Sequence, residues 1–228
     1  MAKILLTVDD IPNKVTIPLL DYLLEQGIRP VMFTIGAEAE KYPEILEYVL
    51  KKGIVVGNHS WTHPNFSELS YEECIEEIEK TEALLNAAYS NAGVERKYKV
   101  FRFPFLDKGG ENKEKLQQYL RDNGFTKIDD RGINAPGYIE GNNNNEIDVM
   151  CSFDIMEYMI RPGQMTIDEI LGRIDTAEPG ADPIGDDAEH LVLFHSHEET
   201  DAEVPEYYKV IIGHLLEKGA EFIEPKML

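Results

Sequence analysis

Short apolar runs alternate with helical segments along the whole of this 228-residue chain. The strand-like runs fall at residues 3–8, 29–35, 53–58, 99–103, 125–128, 147–153, 191–194 and 220–223. Between them, apolar residues recur at helical spacing over 15–24, 42–52, 70–91, 112–122, 167–174 and 204–217, several of these segments ending at a glycine. Sustained β-α alternation requires a parallel sheet, either a closed barrel or an open doubly wound sheet. No break in composition divides the chain, so residues 1–228 read as one domain. Ser70 and Glu73 have the spacing of a capping box at the start of the third helix. Two stretches are left as loops: 131–145, whose Asn142–Asn145 run reads as surface low complexity, and 178–189, rich in Pro, Gly and Asp.

The polar residues that follow the strands narrow the choice of architecture. Asp9-Asp10, His59, Arg102, Asp154 and His195 each stand just after a predicted strand. In a β/α barrel those strand ends converge on one face, where ligands and catalysis gather. An open sheet collects ligands mostly near one crevice. Five contributing strands therefore favour a closed or nearly closed barrel. His59 and His63, four residues apart, can meet on one side of a turn and share a metal ion, although a packed and a solvated histidine would have the same spacing. Asp9-Asp10 reads equally as a site pair or as solvated loop acids. The acids Glu72, Glu73, Glu76, Glu77 and Glu79 read as a solvated helix face, and Trp61 as packing that fixes the histidine loop.

Composition excludes several partners. A formal net charge of −21 disfavours nucleic acid and anionic membrane surfaces, both of which need basic patches. No run of about 18 apolar residues is present to span a membrane. Cys74 and Cys151 lie in predicted helix and strand and read as free core thiols. With an apolar strand starting at Ile4 and no cleavage-type segment before it, the chain as given reads as cytoplasmic; a secreted or cell-wall protein trimmed of its leader would look the same.

An ordered set of motifs resembles the polysaccharide deacetylases, the NodB-homology domain of carbohydrate esterase family 4. Thr7-Val8-Asp9-Asp10 matches the family's Thr-Phe-Asp-Asp, and His59-Ser60-Trp61-Thr62-His63 its His-Ser/Thr-x-x-His. Arg102-Phe103-Pro104-Phe105 stands for Arg-x-Pro-Tyr, and Leu191-Val192-Leu193-Phe194-His195 for the apolar strand ending in histidine. The resemblance spans essentially the whole chain. It implies a distorted (β/α) barrel of about seven to eight strands and an activity that removes acetyl groups from N-acetylated glycans or amino sugars. It further implies a catalytic base at Asp9, an acid at His195, and Arg102 holding the base. Asp10, His59 and His63 would hold one divalent metal ion, Zn²⁺ first, with Co²⁺ or Fe²⁺ also suited to two imidazoles and a carboxylate. The Phe105 backbone N–H and Leu193 would meet the oxyanion and substrate.

The departures are specific. Ile11-Pro12 replaces the family's Gly-Pro, and Phe105 its tyrosine. Asp154-x-x-Glu157-Tyr158 is the preferred match to Asp-x-x-Asp-Trp, giving Asp154 a catalytic place in support of Arg102, with Asp129-Asp130 the competing placement. Ser196-His197 follows the last motif, and His197 reads either as an extra site residue or, preferably, as a loop histidine. These changes leave open a related C–N or O-acetyl ester hydrolase, or a non-catalytic glycan-binding relative.

Overall fold

The computed structural model describes residues 2–176, 183–184 and 189–228. Its described residues form one parallel sheet of six strands flanked by helices. The strands are β1 (Lys3–Ile11), β2 (Val31–Thr34), β3 (Val55–Asn58), β4 (Phe153–Asp154), β5 (Glu189–His195) and β6 (Glu221–Phe222). The helices are α1 (Thr16–Glu25), α2 (Gly36–Lys41), α3 (Pro43–Lys51), α4 (Tyr71–Ala92), α5 (Lys113–Asp122), α6 (Pro136–Glu140), α7 (Ile167–Thr176), α8 (Glu198–Glu203) and α9 (Tyr207–Glu217).

β1 is the axis. Along one edge it pairs with β5 from Lys3–Glu189 through Asp9–His195. Its other edge is divided: β6 pairs with Lys3 and Ile4, and β2 takes over from Thr7. β3 follows β2, and β4 follows β5. Beyond β3, Asn58 bridges to Phe101. The Val149 N–H then donates to the Phe101 carbonyl, which links the segment entering β4 to the far edge. The sheet thereby closes into a ring, as an α/β barrel of the expected type does. All the strands except the short β6 are largely buried, as strands covered on both faces must be.

The strand number is lower than expected, for a local reason. The apolar runs 99–103 and 125–128 make single bridges, Asn58–Phe101 and Ile128–Met227, rather than ladders, and 147–153 shrinks to the start of β4. Phe101 and Phe103 instead turn into a small aromatic core with Phe66, Phe125, Leu116 and Leu120. Their rings meet edge to face, with Phe101 and Phe103 centroids 4.8 Å apart. Other boundaries also move. α2 lies where only a connection was expected, and the helix expected over 204–217 starts at Tyr207 as α9, after Glu206 adopts φ 59°, with the short α8 as an additional helix before it. Cys74 is buried, but Cys151 is only partly so.

The 131–145 stretch is not a bare loop. It carries α6, and Asn143 is buried rather than part of a solvated run. The Asn143 side-chain oxygen accepts from Lys108 and its backbone carbonyl from Lys127, while its amide donates to the Tyr138 carbonyl. The 178–189 loop lies outside the described residues except for 183–184 and Glu189, which opens β5. No described helix is long and apolar enough to cross a membrane.

The capping box forms as expected. The Glu73 N–H donates to Ser70 Oγ, and the Ser70 N–H donates back to the Glu73 carboxylate at 2.8 Å. Packing between β3 and its neighbours leaves no room for a side chain at Gly57, where a Cβ would sit 2.6 Å from Val100 and 2.7 Å from the Phe33 ring. Gly57→Ala should therefore cost about 1–3 kcal/mol, the usual range for overpacking a core. Urea unfolding would show this as a lower midpoint at similar slope; an unchanged midpoint would contradict the close packing.

Candidate active site

β1 delivers two acids to the same end of the barrel by breaking its own regularity. Asp9 is still in register with His195, but Asp10 adopts φ 63°. Left-handed backbone is disfavoured for a residue with a Cβ and persists only where its surroundings hold it. Asp9 is 2 % exposed, and its Oδ1 accepts from Arg102 Nη1 at 2.8 Å. Asp10 turns to the cavity, and its Oδ1 is buried with no hydrogen-bond partner.

The histidine loop after β3 is held from behind. Asn58 Oδ1 accepts the Ser60 N–H, and Ser60 Oγ accepts the His63 N–H. Ser60 and His63 both have positive φ, at 65° and 60°. Glu77 of α4 accepts from the Trp61 N–H (2.8 Å), the Thr62 N–H (2.7 Å) and the Thr62 hydroxyl (2.8 Å). Glu77 is thus a clamp on the loop, not the solvated acid expected of it. Trp61 packs as expected: Gly36 approaches its ring so closely that a Cβ there would lie 2.4 Å from it.

The two imidazoles point at one place. His59 Nδ1 lies 2.8 Å from the Arg102 carbonyl, which only accepts, so Nδ1 carries the proton and Nε2 keeps its lone pair. His59 Nε2 and His63 Nε2 are 3.2 Å apart, and Asp10 Oδ1 is 3.7 and 3.5 Å from them. Two ligands about 2.1 Å from a tetrahedral ion are themselves separated by about 3.4 Å. The buried, unpartnered Asp10 oxygen and two facing nitrogens therefore make a set that a divalent cation fits. The carbonyl behind His59 is the kind of outer partner that orients a metal-bound imidazole.

Opposite this set stands His195, at the end of β5. Its Nδ1 lies 3.1 Å from Glu157 Oε1, which also accepts the His195 backbone N–H. The Tyr158 ring meets the imidazole edge-on at 4.8 Å. Glu157 is fully buried and was not anticipated as a site residue. Its place three residues after Asp154 was the available signal, since one turn carries both to the same end. A cavity of about 400 Å³ joins the two halves, lined by Asp9, Asp10, His59, His63, Phe105, Asp154, Tyr158, Leu193, His195 and His197.

Each charge has a physical cause for its state. Burial alone would raise the Asp9 carboxyl, but the Arg102 guanidinium and His59 hold it below its ordinary value. Burial raises the Asp10 carboxyl, with Asp9 adding to the effect. Burial and the neighbouring His59 push His63 down to about 4, which keeps it a neutral ligand. Burial would lower His195, yet Glu157, Asp10 and Asp154 raise it to about 10, so the proton of the Glu157–His195 pair rests on the imidazole.

Arg102 is supported differently from expectation. Its guanidinium is fully buried and donates to Asp9, to Thr7 Oγ1 at 2.8 Å, and to the Val149 and Met150 carbonyls. Neither Asp154 nor the Asp129-Asp130 pair touches it. Asp129 is engaged by Arg131, and Asp130 by Lys127 and Tyr138. Asp154 faces the cavity beside His195 and accepts the Met156 N–H. Phe105 lies in a tight turn at φ 54°, with its ring 64 % exposed and edge-on to His63. The bonds of that turn run from the Leu106 N–H to the Phe103 carbonyl and from the Asp107 N–H to the Pro104 carbonyl, so neither uses the Phe105 N–H. Leu193 is a buried apolar wall. His197 also reaches the cavity instead of lying in a surface loop, and its spacing of two from His195 on an extended segment was the signal that both side chains share a face.

Comparison with known proteins identifies the family. Residues 2–128 match the family model described as polysaccharide deacetylase. Over 86 residues the chain is 37 % identical to a peptidoglycan-N-acetylglucosamine deacetylase of Bacillus cereus, a segment covering 37 % of this chain and 31 % of that protein. It is 34 % identical over 87 residues to a chitooligosaccharide deacetylase of Rhizobium leguminosarum bv. trifolii, covering 37 % of this chain and 40 % of that one. The matched segments thus span less than half of these relatives. The crystal structure of the Bc1960 peptidoglycan N-acetylglucosamine deacetylase superposes with a TM-score of 0.68 at 23 % identity, over 97 % of this chain and 85 % of that one. BA3943, a carbohydrate esterase family 4 pseudoenzyme from Bacillus anthracis, superposes with a TM-score of 0.65 at 19 % identity, over 96 % and 62 %. These superpositions speak to the fold, which active and inactive relatives share. With a family model covering more than half of its length, the chain belongs to the polysaccharide deacetylase family.

Proposed function

We propose that this chain is one catalytic domain, and that it hydrolyses the acetamide of an N-acetylated glycan or amino sugar with the help of a divalent cation, releasing acetate. The observation that carries the reading is the set of three converging donor atoms, Asp10 Oδ1, His59 Nε2 and His63 Nε2, between the buried Asp9 carboxylate and the His195 imidazole. A bound cation would supply Lewis acidity, polarising the acetyl carbonyl and lowering the pKa of a water molecule towards about 7. Zn²⁺ suits the donors best, and Co²⁺ or Fe²⁺ would also be accepted.

The protein groups divide the remaining work. Asp9, kept ionised and aimed by Arg102, takes the proton of the attacking water. The oxyanion that forms at the carbonyl is met by the Phe105 backbone N–H, a type of donor worth about 3–4 kcal/mol in other hydrolases. His195 gives its proton to the departing nitrogen, so that water and amide become acetate and amine. Glu157 holds that imidazole and stabilises its charged form. Leu193 and the Tyr158 ring offer an apolar wall for the acetyl methyl. Retention of both Asp9 and His195 favours a working hydrolase over a binding-only relative. The exposed Phe105 ring, lacking a tyrosine hydroxyl, is what keeps an O-acetyl ester as the second candidate substrate.

Metal analysis joined to acetate release from chitooligosaccharides, peptidoglycan fragments, acetylxylan and simple amides tests the proposal. We expect one divalent ion per chain and release from an N-acetylated sugar. Asp9→Asn should keep the ion but lose about 10²- to 10⁴-fold in turnover. His63→Ala should lose both ion and turnover. Full activity of the chelated, metal-free protein would overturn the reading.

A second test addresses the acid. Glu157→Gln removes the charge that raises His195, so the His195 midpoint should fall towards its ordinary 6.5 in an NMR titration of the imidazole. Because the acid must be protonated, the alkaline limb of the rate profile should move to lower pH in the same variant. A limb that stays in place would remove His195 from the role of acid.

A further inference from the structure

His197 lies in the cavity wall, and the proposed reaction makes no use of it. Its ring is fixed by bonds that dictate its tautomer. Nδ1 is 3.2 Å from Thr200 Oγ1 and 3.4 Å from a Glu199 carboxylate oxygen. The single hydroxyl proton of Thr200 points to the Glu157 carbonyl at 3.3 Å, so towards His197 its oxygen can only accept. A carboxylate can only accept as well. Nδ1 therefore carries the proton, and Nε2 holds a lone pair.

The backbone is fixed with equal care. The Tyr207 hydroxyl donates to the His195 carbonyl at 2.6 Å and accepts the His197 N–H at 3.0 Å. One buried phenol thus sets the spacing between the His195 and His197 main chains. The His197 side chain keeps 28 % of its surface exposed, so part of it remains accessible to a ligand. Burial lowers its basicity, which favours the neutral ring.

We infer that His197 is a specificity-determining residue whose Nε2 accepts a hydrogen bond from a hydroxyl of the sugar unit that bears the acetamide. Of the cavity's carboxylates, Asp154 is the one that neither the cation set nor Arg102 engages, so the His197 Nε2 adds a second free acceptor to the wall. A wall of that kind selects a ligand rich in hydroxyl donors and free of carboxylate. This assignment rests on the amino-sugar reading above and names how that sugar is gripped.

The test uses the metal-loaded wild type, His197→Ala and His197→Gln. Binding of the N-acetylglucosamine tetramer is measured by calorimetry, and kcat/KM is measured on the tetramer and on 4-nitrophenyl acetate, which has no hydroxyl. A neutral hydrogen bond of ordinary strength predicts a five- to tenfold weaker tetramer affinity for His197→Ala, within roughly the tenfold set by about 1.4 kcal/mol. The ratio of tetramer to ester efficiency should fall by a similar factor. His197→Gln, which can present an amide oxygen near the Nε2 position, should recover part of the loss. Unchanged tetramer affinity in His197→Ala overturns the inference, as does an equal loss on both substrates, which would mark a structural role. If the wild type binds the tetramer without releasing acetate, the hydrolase reading fails while the affinity ratio still decides the role of His197. A wild type that does not bind the tetramer at all overturns the assignment.

Discussion

Arg102 is the residue on which the rest of the site depends. A guanidinium cannot be left unpaired in a barrel interior, because removing an unpaired charge from water costs many kcal/mol. Here each guanidinium nitrogen has a partner. Asp9 supplies the opposite charge, Thr7 a hydroxyl oxygen, Val149 and Met150 two carbonyls, and the Phe33 ring one face at 4.6 Å. The backbone carbonyl of the same residue fixes His59 Nδ1. One side chain and its own main chain thus orient both the buried carboxylate and the first imidazole. The bond between Arg102 and Asp9 also makes the ionised state of the Asp9 carboxylate a property of the fold rather than of the solvent.

The same residue explains why the barrel is irregular at its closing edge. Two carbonyls of the 147–153 run that a strand ladder would use, those of Val149 and Met150, are taken by the Arg102 side chain, and the Val149 N–H makes the single bond to the Phe101 carbonyl. A gap in the ladder is where a side chain can enter from the neighbouring strand position. Strain gathers nearby for a related reason. Asp10, Ser60, His63 and Phe105 all have left-handed backbone, and all four stand at the cavity or in the loop that feeds it. Bonds from Glu77, Asn58 and Ser60 hold the histidine loop in that conformation. Residues kept in sparsely populated backbone regions, at one cavity and by dedicated partners, are a mark of a site held ready for a ligand.

Much of this was legible in the order of residues. Strong periodicity marked β1, β2, β3, β5 and most of the long helices, and polar residues directly after strands marked the functional end of the barrel. Position alone left His59 and His63, and Asp9 and Asp10, open to a structural reading, and the ordered motifs resembling the polysaccharide deacetylases marked them as a site. Other features were hidden by their chemistry. Nothing in the sequence separates Glu77, which clamps two backbone N–H groups, from the solvated acids beside it on α4. The apolar run at 147–153 carries no mark that an arginine will take two of its carbonyls. α2 is too short and too polar for a periodic signal. Asn143 is buried because Lys108 and Lys127 need its oxygens, a demand set by residues distant in sequence. Glu157 and His197 do carry a signal, the one three residues after Asp154 and the other two residues after His195 on an extended segment.

Crystals of the protein equilibrated with Zn²⁺ and measured on both sides of the zinc absorption edge would test the account most directly. It predicts one anomalous peak about 2.0–2.2 Å from Asp10 Oδ1, His59 Nε2 and His63 Nε2, with Asp9 held off the ion by Arg102. A fully occupied zinc elsewhere, with those three atoms unligated, would contradict it.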